Sequence, residues 1–318
     1  MTRESAVKLG VNLAGLELST PMLVASGTYG WGTEFDAIEG FAGEAIGAIV
    51  LKGTTLEPRE GNRTPRIVET AGGAGILNSI GLQNPGAAAV VREYLPKLEG
   101  FKQKIIANVS GATAGEYVKV TELLAAHDRI DAVEVNVSCP NVKQGGMQFG
   151  ADARVCAEVV KGCRKATVKP LIVKLTPNVT DIRPIARAAV DAGADVLTVA
   201  NTVLGTAVDV HTRRPILGNV SGGLSGPAIK PIALQKVLEV ARFLREAKLS
   251  TPIIASGGIM TTEDALEFLI TGASAFAVGT VLFADFRAPE HIMRGITDYL
   301  KNTGATDVND IVGTLELP

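Results

Sequence analysis

Cys139, one of only three cysteines in the chain, sits in the stretch NVSCPNVKQGG (136–146), with a proline directly after it and a glycine pair soon after. A thiol in such a place can handle protons. Its ordinary pKa is about 8.5, so as a general base it gains activity toward alkaline pH unless its surroundings lower that value. A free cysteine is equally a small buried hydrophobe, and Cys156 and Cys163 read that way, on one helix face. Cys139 differs in its setting, at the end of an apolar run and ahead of Gly145, Gly146 and Gly150.

Three further groups of residues have chemistry to offer. Lys52 and Lys174 each end an apolar run. Such a lysine ordinarily snorkels to solvent. Two of them at one mouth would instead suit a cofactor that gains negative charge, such as a flavin, whose reduced form is an anion. The second group is glycine: SGGI (256–259) and VGT (278–280) follow two late apolar runs. Glycines there let backbone N–H groups approach a phosphate, and a following helix start adds partial positive charge; tight turns are the plainer reading. The third group is Asn78, Asn108, Asn136, Asn141 and Asn201. Each carries a donor and an acceptor, which matches a ring edged with N–H and C=O groups, such as a pyrimidine. NSIGLQNPG (78–86) is also ordinary turn chemistry. His127, His211 and His291 fall in no comparable position, and neither a Ser-His-Asp set nor a metal cluster is apparent.

These residues need elements that bring them together. Eight β-branched or apolar runs recur, at 21–26, 48–53, 104–111, 131–138, 171–177, 195–202, 252–258 and 275–280. Several are almost continuously apolar, as in strands buried on both faces. Helical patterns lie between them. In 180–195, Ile182, Ile185, Ala186, Ala189 and Val190 share a face, Thr180 or Asp181 can cap the start, and Gly193 closes the end. The 260–276 segment repeats the design with Thr261 or Thr262 and Gly272. Eight such units predict an α/β fold, a closed (β/α)8 TIM barrel, with long loops after strands 2, 4 and 6 at the C-terminal face. In that fold Ser26, Lys52, Asn108, Asn136, Lys174, Asn201, Thr202, Gly257, Gly258, Gly279 and Thr280 all converge on one mouth.

Bulk properties agree. At 318 residues and 46% hydrophobic the chain suits one large barrel domain, 1–318. A net charge of −2, with no block of like charge, argues against a nucleic-acid partner. An odd cysteine count without a C-x-x-C pair argues against disulfides or a resident metal and suits a reducing cytoplasm. No run approaches a membrane span, and the first twenty residues are too polar for a signal peptide.

KGTTLEPR (52–59), NSIGLQNPG, NVSCPNVKQGG, ANTVLG (200–205) and GGLSGPAIKP (222–231) together resemble the dihydroorotate dehydrogenase family, from about Leu9 to Phe283. The cysteine in NVSCPN resembles the soluble type 1 enzymes, where membrane-associated type 2 enzymes have serine. ASGTYGWG (25–32) and CPNVKQGGMQFG (139–150) are more similar to type 1B than to type 1A. The resemblance implies FMN at the barrel mouth, its phosphate near Gly257, Gly258, Gly279 and Thr280. Its rings would lie near Ser26, Lys52, Gly53, Asn108, Asn136, Lys174, Ala200 and Gly226. Dihydroorotate would be gripped by Lys52, Asn78, Ser79, Ile80, Gly81, Leu82, Asn136, Asn141, Asn201 and Thr202. Cys139 would take the proton from carbon 5 while hydride passes from carbon 6 to flavin N5, giving orotate for pyrimidine biosynthesis. Gly53 and Ser256 depart slightly from the family pattern and remove no functional group.

Type 1B also implies an electron-transfer subunit with FAD and a [2Fe–2S] cluster passing electrons to NAD, around a homodimer of this chain in a heterotetramer. Three other readings stay open: direct use of fumarate as in type 1A, an FMN barrel acting on another dihydropyrimidine, and a scaffold barrel with a vestigial flavin site.

Overall fold

A computed structural model describes residues 7–35, 38, 43–138, 143–144, 147–148 and 150–318. Eight parallel strands form a closed barrel: β1 (Met22–Val24), β2 (Ala48–Val50), β3 (Lys104–Val109), β4 (Ala132–Asn136), β5 (Leu171–Lys174), β6 (Val196–Val199), β7 (Ile253–Ser256) and β8 (Ala275–Val278). Each strand pairs with its neighbours in sequence, and β8 pairs with β1 to close the ring. All eight runs singled out in the sequence are strands of this one sheet. They are almost wholly buried because helices cover the outside while side chains fill the inside.

Among the described residues six helices of nine residues or more follow the strands: α1 (Ala114–Ala125), α2 (Ala153–Ala166), α3 (Arg183–Asp191), α4 (Lys230–Glu246), α5 (Thr262–Thr271) and α6 (Ala288–Thr303). Each buries one stripe. On α2 the stripe is Cys156, Val159, Val160 and Cys163, and burial pushes the two thiols up to about 12 and about 11. They are core residues, as their spacing implied. On α3 the expected face is buried, but the helix starts at Arg183 and Ile182 holds the N-cap position without a side-chain cap. The Asp181 carboxylate still accepts the Arg183 backbone N–H at 3.0 Å. On α5 the expected cap is present as a reciprocal box: Thr261 accepts from the Asp264 N–H, and Asp264 accepts from the Thr261 N–H. Lys230, at the start of α4, donates to Asp264 at 2.7 Å and to Glu267 at 2.9 Å, which ties the two helix starts together.

The two long connections are not simple loops. Ile67–Glu69 and Ile76–Asn78 follow β2, while Val203–Thr206 and Ser221–Ser225 follow β6. These four segments pair antiparallel in one sheet, in the order Val203–Thr206, Ser221–Ser225, Ile76–Asn78, Ile67–Glu69. Gly222 and Gly223, in a glycine-rich stretch, both lie inside a strand. A Cβ on Gly222 would come within 2.4 Å of the Asn78 carbonyl oxygen, and one on Gly223 within 2.1 Å of Thr202 Oγ1. Close approach, not turning, is what selects glycine there. After β4, Lys143–Gln144 pairs antiparallel with Met147–Gln148.

Among the described residues no helix is long and apolar enough to cross a membrane. The α5 cap has a measurable consequence. Thr261→Ala is expected to lower the unfolding free energy by about 1 kcal/mol, seen as a lower denaturant midpoint at an unchanged slope. An unchanged midpoint would show that the box contributes nothing to stability.

Candidate functional site

The C-terminal ends of the barrel strands open on a cavity of about 420 Å³, a size suited to a small ligand or cofactor. Its floor is barrel: Ser26, Lys52, Gly53, Asn108, Asn136 and Lys174 line it, from the ends of β1 to β5. Its walls are the accessory sheet and its flanks, with Asn78, Ser79, Ile80, Gly81 and Leu82 from one side and Asn201, Thr202, Leu204, Ser221, Gly222 and Gly223 from the other. Thirteen of the expected residues therefore share one cavity, although they lie on seven separate segments. Leu204, Ser221, Gly222 and Gly223 were not foreseen. They face the cavity because their segments are strands, a pairing that glycine-rich composition hides.

Strand registers explain the floor. Asn108 on β3 stands beside Glu134 on β4, and Lys174 on β5 stands between Asn136 on β4 and Thr198 on β6. In a barrel such neighbours point to the same side, here inward. The Asn108 Nδ2 donates to Glu134 Oε1 at 2.7 Å, and Thr198 Oγ1 donates to Glu134 Oε2 at 2.8 Å. Sequence reasoning passed over Glu134 and Thr198. The signal was present: DAVEVNVS carries one carboxylate inside an otherwise apolar strand.

The asparagines form a linked set. Asn136 Oδ1 accepts from Ser138 Oγ at 2.6 Å, Asn201 Nδ2 donates to Ser138 Oγ, and the Asn136 carbonyl accepts from the Tyr117 hydroxyl at 2.8 Å. Asn78 Nδ2 donates to the Gly223 carbonyl at 3.2 Å, joining the two walls. Asn178 holds the far wall through the Thr202 carbonyl and the Leu204 N–H. Asn62 and the buried Asn84 hold the near wall, Asn62 through Ser79 and Asn84 through Thr55 and the Leu82 carbonyl. Cys139 and Asn141 lie outside the described residues.

The glycines expected to cradle a phosphate do not line this cavity. Gly226, Gly257, Gly258 and Thr280 gather beside it, around the start of α4. A Cβ on Gly258 would meet the Lys230 backbone at 2.7 Å, one on Gly257 would meet Ala233 and Ile229, and one on Gly226 would stand 3.5 Å from Thr280. Gly279 instead faces Ala25 and Thr28. Ala200 is buried, its N–H donating to the Ser256 carbonyl at 2.9 Å.

The charge balance of the cavity is positive. Lys174 is buried and Lys52 half-buried, and neither forms an ion pair among the described residues. Burial holds the Lys52 ammonium below the usual lysine range, the Arg66 guanidinium adds to that, and the Glu34 carboxylate opposes it. Two ammonium groups without carboxylate partners favour an anionic occupant. Two further features fit a flat ring with polar edges. Asn108 Oδ1 is buried and finds no hydrogen-bond partner among the described residues. Beside it, a Cβ on Gly53 would come within 3.1 Å of that oxygen and 3.3 Å of the Leu82 side chain, so glycine keeps the surface open there.

The family model for dihydroorotate dehydrogenase matches residues 8–300. The chain belongs to the dihydroorotate dehydrogenase family. Its relatives include the catalytic subunit of dihydroorotate dehydrogenase B (NAD(+)) from Desulforamulus reducens, 50% identical over 98% of this chain and 99% of that one. The protein of the same name from Alkaliphilus oremlandii is 48% identical over 99% of this chain and all of that one, and that from Geobacter sulfurreducens 50% identical over 97% and 98%. The cavity of this family member rests on an unpaired lysine whose titration is measurable. Followed by NMR, Lys52 is expected to lose its proton at a lower pH than a free lysine side chain. Arg66→Gln is expected to raise that midpoint and Glu34→Gln to lower it further; a wild-type midpoint at the ordinary value would contradict the burial of this ammonium.

Proposed function

We propose that the chain oxidises dihydroorotate to orotate in pyrimidine biosynthesis, as the FMN-bearing catalytic subunit of an NAD-linked dihydroorotate dehydrogenase. The names of its near-full-length relatives support the reaction and the acceptor. The single observation that carries the reading is the joint placement of Lys52, Lys174 and the asparagine set around one cavity at the barrel mouth.

Ser26, Lys52, Gly53, Asn108, Asn136, Lys174, Ala200 and Gly226 would hold the ring system, and Gly257, Gly258, Gly279 and Thr280 would take the phosphate. FMN, when bound, supplies the two-electron acceptor. Lys52 and Lys174 stabilise negative charge at the cavity floor. The walls bind the substrate: Asn78 to Leu82 face it from one side, Asn201 and Thr202 from the other, with Asn136 and Asn141 completing the polar set. Backbone N–H groups of the 78–82 segment suit the substrate carboxylate, and Lys52 adds a charge to it. Cys139 serves as the base that removes the carbon-5 proton.

Electrons leave through a separate subunit carrying FAD and a [2Fe–2S] cluster, in a cytoplasmic assembly built on two copies of this chain. The three cysteines of the chain fall short of the four ligands such a cluster takes. Anaerobic addition of dihydroorotate to the purified chain is expected to bleach its yellow flavin band, and NAD alone to leave it bleached. A yellow chain that does not bleach would overturn the substrate, and reoxidation by NAD alone would overturn the separate subunit.

The base is tested separately. Cys139→Ala is expected to retain FMN and to slow bleaching by about 100-fold or more, the usual scale of a lost general base. Cys139→Ser should recover activity only at high pH, since a hydroxyl ionises less readily than a thiol. Near-normal bleaching in the alanine variant would remove Cys139 from this role.

A further inference from the structure

We propose that Glu134 is a positioning residue that sets which way round the Asn108 carboxamide stands, so that an acceptor and not a donor is presented to the cofactor. A carboxamide has nearly the same shape in both orientations, and only its partners distinguish oxygen from nitrogen. Glu134 is 2% exposed, and both its carboxylate oxygens accept a hydrogen bond. One oxygen takes the Thr198 hydroxyl and the other takes Asn108 Nδ2. The reversed amide would set its oxygen against the carboxylate, acceptor facing acceptor in a buried place. With the nitrogen held by Glu134, the oxygen is left against Gly53, where it has no partner among the described residues.

A carboxylate in the interior of a barrel is costly unless it is well solvated by hydrogen bonds. Glu134 forms no ion pair among the described residues. One of its two neutral donors lies on the adjacent strand β3 and the other on β6, two strands away on the other side. A purely structural tie between strands would work as well with a neutral side chain. Fixing the sense of an amide needs a group that only accepts. The orphan oxygen is then the acceptor for a ring N–H of the flavin, an assignment that rests on the FMN reading above.

The test uses the full chain and two readouts. FMN affinity is measured by quenching of flavin fluorescence in four proteins: wild type, Glu134→Gln, Asn108→Ala and the double variant. Glutamine keeps the size but turns one acceptor into a donor. Glu134→Gln is expected to weaken FMN binding about tenfold or more when Asn108 is present, and less than twofold in the Asn108→Ala background. An equal loss in both backgrounds, or no loss in either, overturns the proposal. The second readout needs neither a variant nor a bound flavin. In ¹⁵N-edited spectra of the wild-type chain without FMN, the Asn108 side-chain amide is expected as a distinct, slowly exchanging pair. An Asn108 amide that exchanges as fast as exposed asparagines overturns the positioning role. If the wild-type chain fails to bind FMN, the cofactor reading falls while fast exchange in this spectrum would still overturn the role of Glu134.

Discussion

Closure of a parallel sheet into a ring governs the rest of this structure. Once β8 pairs with β1, every strand runs the same way, so every strand end opens on the same mouth. The two-residue period of a strand then sends alternate side chains to the barrel axis. Residues that lie far apart in the chain, such as Ser26, Asn108 and Lys174, are brought to one cavity by hydrogen-bond register alone. No sequence proximity is needed, and no long-range side-chain contact has to be specified. The register does the assembling.

That geometry also fixes where the apolar core stops. Deeper in the barrel the axis is filled by residues such as Val50, Ile106, Ile172, Val196 and Ile254, all buried. With aromatics at only 4% of the chain, β-branched residues do the filling, and they leave little room for water. Just below the cavity the filling turns polar, with Asn108, Glu134 and Thr198 bonded to one another. A polar layer at this depth costs stability unless its members are satisfied. Both Glu134 oxygens and the Asn108 nitrogen are satisfied within the layer. The atom left over, Asn108 Oδ1, is the one that borders a cavity-lining residue.

The sequence made the barrel legible because buried parallel strands leave a strong pattern: short β-branched runs, each ended by a polar or small residue. The same pattern located the cavity floor, since a strand-end residue has few places to go. The walls were harder to read. Val203–Thr206 and Ser221–Ser225 carry glycine where a strand pattern wants side chains, and the glycines answer to contacts made across the sheet, with Asn78 and Thr202. Such contacts leave no periodic trace. Glu134 was missed for the opposite reason. Its strand was so plainly a strand that the one charged residue in it was read as part of the pattern, when a carboxylate facing inward is an exception that needs partners.

Floor and walls are held by different forces, and this bears on how such a site can work. Asn108, Asn136 and Lys174 of the floor ride on strands bonded on both sides, so displacing one means breaking a ladder shared by the whole barrel. Wall residues ride on the smaller four-stranded sheet outside the barrel and its flanks, pinned further by side-chain hydrogen bonds of Asn62, Asn84 and Asn178. Each such bond contributes about 1 kcal/mol net. A ligand at the floor would therefore meet a fixed set of charges and acceptors. The division follows from topology: what is on the barrel shares the ladder of the closed ring, and what is on the connections belongs to a smaller sheet of its own.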